Sequence, residues 1–447
     1  MYRKNRIQVR AVAILAGLLL IAACREPEVA IRPPEPTRPP HRYDIEYPVM
    51  NYAGAVLTDP IARLQERLKN GQAKLEFDGA RGYLTSLLRE LGIDPKSQLL
   101  VFSRTSGQIS YISPETPRAM YYTDDVYVGW PLGAPEIEIG SMDPNVGPVF
   151  YTLAQEERAA VHFDRQMDAC LGCHDSYSLT GGGVPRFIVG SGPTGRRGEQ
   201  VTHEGWILVD DRTPLSYRWG GWYVTGTQGA QTHLGNWVIR DPAELMKPDL
   251  SRTGNVTELS SLIDTDPYLE GGSDIVALMV IDHQTHLQNL ITRVNFDTRT
   301  LLAGHARGDR DEELTPELRT EVRVIAEPLV EALFMVDEAR LTDQITGTPG
   351  FAEEFEARGP HDAQGRTLRE LDLSRRLFRY PCSYLIYSDA FDALPTVTRR
   401  YVYRRLASVL TGEDRSPTFA HLSQDDRRSV LEILGQTKPE FAALEIP

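Results

Sequence analysis

The chain has 447 residues, of which 41% are hydrophobic, 25% charged and 8% aromatic, proportions that exclude a disordered or fibrous protein and leave room for two or three domains. With 62 Asp and Glu against 48 Lys and Arg, the net charge of −14 disfavours any partner held by phosphate neutralisation, so no nucleic acid is expected. Four cysteines are too few for a disulfide scaffold, and each calls for a chemical reason.

Residues 1–10, MYRKNRIQVR, carry four positive charges and no negative one, and they lead into the apolar run Ala11 to Ala23. That order predicts an export signal over residues 1–23. Its thirteen apolar residues fall short of the roughly 20 that span a bilayer as a helix, so no mature transmembrane helix is expected. Loss of residues 1–23 would take the net charge from −14 to −18. The stretch Leu20-Ile21-Ala22-Ala23-Cys24 resembles the lipobox of bacterial lipoproteins. The resemblance implies acylation of Cys24 and a membrane contact through the lipid anchor. With Arg25 next, it implies the periplasmic side of the outer membrane. An ordinary signal peptide with an incidental cysteine at its end is the alternative. Residues 24–48 are rich in proline and lack apolar periodicity, which predicts an extended tether.

The first folded region, 49–154, opens with amphipathic helices expected over Asp59 to Asn70 and Gly79 to Leu91, where apolar residues recur three and four apart. Strands follow in LLVFSR, QISYIS, AMYYTDDVYVGW, EIEIG and PVFYTL, separated by Pro, Gly and Asp, and predict a small antiparallel sheet. In region 155–310 a helix is expected from Gln155 to Leu171, then glycine-rich strands from Thr180 to Arg240, then a long helix from Gly272 to Asp297 capped by Ser273 or Asp274. Region 311–447 reads as helices at TPELRTEVRVIAEPLVEALFM, RTLRELDLSRRLFRY, TVTRRYVYRRLASVLTG and SQDDRRSVLEILGQT. The fold class is α+β, with a sheet early and helices gathered in the C-terminal third.

One motif carries specific chemistry: Cys170-Leu171-Gly172-Cys173-His174. Two thiols three positions apart on a helical turn each add to a vinyl group of haem, and the adjacent imidazole then serves as proximal iron ligand. The segment resembles the haem-attachment segment of c-type cytochromes, which implies one covalent haem c. A redox dithiol and a zinc site are the alternatives. No parallel βαβ pattern precedes the pair, and the only other cysteine besides Cys24 is the distant Cys382. Cys382 itself reads most simply as a buried apolar residue.

Small c-type cytochromes follow the haem segment with a glycine and a proline whose carbonyl accepts the proximal histidine's other N–H. Here Gly181-Gly182-Gly183-Val184-Pro185 lies in that position, eleven residues after His174 to Pro185, and a plain glycine turn is the alternative. Arg186 is a propionate candidate by position. Arg218, in Arg218-Trp219-Gly220-Gly221-Trp222-Tyr223, is another, although a strand pair with aromatic packing is the favoured reading of that stretch.

For the sixth iron position no Tyr-x-x-Met-Pro signature follows His174. His283, emerging from the apolar run Ile275 to Ile281, is the distal candidate. His233 on a glycine-flanked loop is the runner-up among the histidines, an open or water-bound position is a further alternative, and Met246 comes last. His283 and His286 share a helix face as a possible metal pair, but no third ligand with clear spacing accompanies them.

Over most of the mature chain SQLLVFSRTS, CLGCH, RWGGWYVTG, HLGN, DHQTH and YPCSYLIYSDAFDALP together resemble exported bacterial proteins described as cytochrome c domain-containing, a group without an established reaction. The resemblance implies haem and export. The expected function is therefore electron transfer by an exported, membrane-anchored monohaem c-type cytochrome, with a redox protein or quinol-linked donor as partner. A haem enzyme of peroxidase or oxidase type, or a haem-based sensor with an open iron position, is the alternative.

Overall fold

A computed structural model describes residues 45, 48–180, 182–201, 205–241, 243–246, 250, 253–305 and 314–444. The leader, Cys24 and nearly all of the tether lie outside these residues. No described helix is long and apolar enough to cross a membrane.

Helix α1 (Pro60–Lys69) starts where Asp59 accepts the Ile61 and Ala62 amides, with proline as the first helical residue. The other Asp59 oxygen accepts the Tyr151 hydroxyl at 2.8 Å, so the cap also ties the helix to the sheet. Helix α2 (Leu84–Leu91) ends at Gly92, whose φ of 67° suits glycine.

Strands β1 (Leu99–Val101), β2 (Arg118–Tyr122), β3 (Val126–Trp130), β4 (Glu136–Asp143), β5 (Gly147–Ala154) and β6 (Asp164–Arg165) form one antiparallel meander in chain order. Tyr122, Tyr127, Gly140 and Phe150 stand opposite one another in a row across four strands. Alternation sends Ile137, Ile139, Tyr151 and Leu153 into a core shared with α1 and α2, and Phe150, Tyr127 and Tyr122 into a second core on the opposite face. QISYIS, expected as a strand, holds a single 3-10 turn at Ile109–Tyr111 instead, where the Gln108 side chain donates from Nε2 to the Glu136 carbonyl and to the Glu138 carboxylate.

Helix α3 is short, Asp168–His174, and α4 covers Tyr177–Thr180. The longer helix expected from Gln155 does not form: Arg165 and Asp164 pair with β5, and the Gln166 amide donates to the Phe150 carbonyl. The strand-rich stretch expected from Thr180 to Arg240 contains only the two-residue strands β7 (Gly190–Ser191) and β8 (Ile207–Leu208) among its described residues. Its glycines pack backbone on backbone instead; a Cβ at Gly220 would lie 2.5 Å from the Gly192 carbonyl oxygen.

After α5 (Ala243–Met246), helix α6 (Ile275–Gly304) runs 30 residues from an N-cap at Asp274, whose carboxylate accepts the Ala277 amide at 2.8 Å. Its first half is apolar on every side because it is packed on every side. The Tyr122 hydroxyl donates to the Ala277 carbonyl on the sheet flank, and the Tyr384 hydroxyl donates to Gln284 on the C-terminal flank. Helices α7 (Pro316–Leu333), α8 (Phe351–Ala357), α9 (Asp389–Asp392), α10 (Thr396–Thr411), α11 (Gln424–Thr437) and α12 (Pro439–Ala442) complete the chain.

RTLRELDLSRRLFRY is not helical. Asp372 accepts the Ser374 and Arg375 amides, Leu373 takes a φ of 57°, and Leu371 bridges Phe378, so the segment turns back on itself. The fold is thus α+β, and Arg42–Pro447 make one compact unit.

Candidate functional site

The Cys-x-x-Cys-His segment lies on α3, which puts the two thiols and the imidazole on one helix. The helix ends at His174 because the chain returns to cap it: the Arg186 amide donates to the His174 carbonyl at 2.9 Å. In the same contact the His174 ring donates from Nδ1 to the Arg186 carbonyl at 2.7 Å. A carbonyl only accepts, so the proton sits on Nδ1 and the Nε2 lone pair makes no hydrogen bond among the described residues. Pro185 was expected to supply this carbonyl. The acceptor is one residue later, at Arg186.

Two further contacts fix this arrangement. The imidazole lies against Phe150 of β5 with ring centroids 4.2 Å apart. Phe187 is clamped by Asn289 of α6, which accepts its amide at 2.8 Å and donates to its carbonyl at 2.9 Å. Gly140 makes room for this: a Cβ there would come within 3.0 Å of the Phe187 ring. Burial lowers the His174 pKa, with the Arg118 charge nearby adding to the effect against the Arg186 carbonyl and Glu138, and so keeps the ring in its neutral, ligating form.

Both cysteines are free thiols, Cys170 half-buried and Cys173 exposed. Burial, then Glu138, Cys173 and Glu136, push the Cys170 thiol up to about 11. Redox dithiols show the opposite, a thiol depressed toward the ambient pH. Zinc would require more soft or imidazole ligands, and no group of three or more His, Cys, Asp or Glu suited to a metal occurs among the described residues. An oriented neutral imidazole with an unbonded Nε2, next to two unpaired thiols on the same helix, fits covalent haem with His174 as axial ligand.

The other candidates sit elsewhere. His283, expected as distal ligand, has neither ring nitrogen free: Nδ1 bonds the Asp211 carboxylate at 2.7 Å and Nε2 bonds the Ser383 hydroxyl at 2.8 Å. His286 bonds the second Asp211 oxygen through its Nδ1 at 2.7 Å, so the two histidines share a carboxylate rather than a metal. Burial alone would raise the Asp211 pKa, but the hydrogen bonds and charge of the two imidazoles hold it far below the usual carboxylate range.

Arg218, expected at a propionate, is buried against Asp282 at 3.2 Å and also donates to the Thr213 and Asp211 carbonyls. Its neighbour Trp219 donates to the same Asp282 oxygen at 3.0 Å. His233 is buried against Trp219, ring centroids 5.4 Å apart, and burial lowers its pKa to about 4. Met246 ends α5. Cys382 is buried in the core, as expected, and burial pushes its thiol up to about 12.

Sequence reasoning missed Phe150, Asn289 and Asp211. Only Phe150 left a signal, since alternation along PVFYTL places it on the face opposite Tyr151. Comparison with family models, with curated proteins and with solved structures finds no match to this chain.

Proposed function

We propose that the protein is an exported, lipid-anchored, monohaem c-type cytochrome that passes single electrons between redox partners on the periplasmic side of a bacterial membrane. The observation that carries the reading is the His174 ring, whose Nδ1–H is held by the Arg186 carbonyl while its Nε2 is left unbonded on the helix of Cys170 and Cys173. Haem c would be held by thioethers at the two cysteines and by His174, and would supply the one-electron chemistry. The chain's own part is to orient the imidazole, raise its basicity through the carbonyl and shield it with Phe150.

A second reading, a haem enzyme or sensor with an open iron position, draws support from the engagement of His283 with Asp211 and Ser383. Absorption spectra of oxidised and reduced protein made with a c-type maturation system, with intact mass on the same sample, test both readings. Covalent haem with reduced bands insensitive to carbon monoxide supports the carrier. Covalent haem that binds carbon monoxide supports the second reading, and protein without haem overturns both.

A further inference from the structure

A cleft of about 260 Å³ lies between α6, α7, the segment after His174 and β8. None of Cys170, Cys173 or His174 lines it. The volume falls below the roughly 300 Å³ at which sites for drug-sized ligands begin, so an occupant would be small. Its walls are mixed. Val189, Leu290 and Ala332 give apolar surface, while Arg186, His286 and Glu331 bring polar groups of different kinds.

The polar groups divide into a donor and a set of acceptors. Arg186 makes no side-chain hydrogen bond among the described residues, and its Nε is sealed from solvent without a partner. Burial, then the Arg293 charge, lower its pKa to about 10, so it remains a cation at neutral pH. Asp175 and Asp297 act on it only through space. His286 is anchored elsewhere: its side chain is only 10% exposed, and its Nδ1 bonds the Asp211 carboxylate at 2.7 Å.

Glu331 and Asp337 also line the cleft and bring two more carboxylates near each other; burial, then Glu327 and Asp337, raise the Glu331 pKa. The remaining ionic groups, Arg212 and Asp210, neutralise each other at 2.6 Å. An unpartnered guanidinium together with two carboxylates matches a ligand with an anionic and a cationic group. It does not match a dianion such as phosphate, which the carboxylates would repel.

We propose that this cleft binds a small zwitterion carrying a carboxylate and a primary ammonium group. The carboxylate pairs with Arg186, and the ammonium donates to Glu331 and Asp337. The site is separate from the iron chemistry and does not rest on the haem reading, although Arg186 serves both places, with its carbonyl toward His174 and its side chain at the cleft.

Calorimetric titration of the full mature protein with glycine, β-alanine, 4-aminobutyrate and 5-aminovalerate tests the proposal, with butyrate and butylamine as single-charge controls. At least one amino acid of the series is expected to bind at least tenfold more tightly than either control. Glu331→Gln, at a half-buried surface position, should weaken that binding about tenfold, and Arg186→Met should weaken it at least as much. Equal affinity for butyrate, or no binding by any of the series, overturns the proposal. So does undiminished binding by a folded Glu331→Gln protein. If Arg186→Met alters the haem spectrum while Glu331→Gln leaves binding intact, the guanidinium belongs to the haem site and the zwitterion site falls. Absence of haem would refute the carrier reading while leaving these titrations decisive.

Discussion

Replacing Asp211 by asparagine removes the one group that satisfies two imidazoles at once. In the native protein each carboxylate oxygen takes an Nδ1–H at 2.7 Å, and the Asp211 side chain is only 5% exposed, so water does little to replace either bond. Asparagine keeps one acceptor and turns its NH2 toward the other ring. One charge-assisted bond worth about 1.5–3 kcal/mol is lost, and the other becomes a neutral bond of about 1 kcal/mol. A loss of about 2–5 kcal/mol at pH 7 follows, a large share of the 5–15 kcal/mol typical of a folded protein.

The pH dependence has a definite sign. The folded carboxyl is held below its unfolded value, so its stabilisation is complete above about pH 4 and disappears as the pH falls through the folded pKa. Urea unfolding of both proteins, followed by tryptophan fluorescence at pH 7 and at stepwise lower pH, measures both effects, provided the m-value is unchanged. A difference under 1 kcal/mol at pH 7, or one that stays constant well below pH 4, would refute the reasoning.

Arg218→Met leaves Asp282 buried without its cation and should cost about 3–5 kcal/mol in the same assay; the Arg218→Met, Asp282→Asn double variant should recover part of that loss. Gly140→Val drives a side chain into the Phe187 ring and should destabilise the protein by about 1–3 kcal/mol. On the haem reading, the same variant should also shift the reduction potential, because Phe187 follows the residue that holds His174. Glu338 is pushed up to about 8, mainly by burial, and its carboxylate accepts the Leu377 amide. A carboxyl raised on folding loses stability as pH climbs from about 4.5 to 8. Glu338→Gln should therefore be more stable than the native protein above pH 8, by about 1–3 kcal/mol, and guanidinium melts across that window will show it.

Local signals in the sequence carried a long way. Asp59 and Asn70 bracket α1, and Asp274 caps α6, because capping chemistry sits within three residues of the helix it starts. The alternation in EIEIG and PVFYTL survives in β4 and β5 because both faces of the sheet are covered by apolar cores. Local signals failed where distant partners decide. The apolar spacing of residues 366–380 suits a helix, yet Asp372 turns the backbone and Glu338 takes the Leu377 amide from 39 positions away. The spacing of Cys170, Cys173 and His174 was plain. The carbonyl that fixes His174 was not, since any residue has a carbonyl and only the loop path selects Arg186. His283 resembled a ligand emerging from an apolar helix, and Asp211, 72 residues away, engages it instead.

The central position of α6 has a consequence for how the chain acquires its structure. The sheet face bearing Phe150 is closed by residues that come much later, with Tyr122 meeting Ala277 across a separation of 155 positions. Contacts so distant along the chain are slow to form, since a long loop must close before they contribute any free energy. Until α6 arrives, the sheet face bearing Phe150, against which His174 packs, is an unfinished surface. The surroundings that orient His174 are therefore completed late, because chain topology places their last wall far along the sequence.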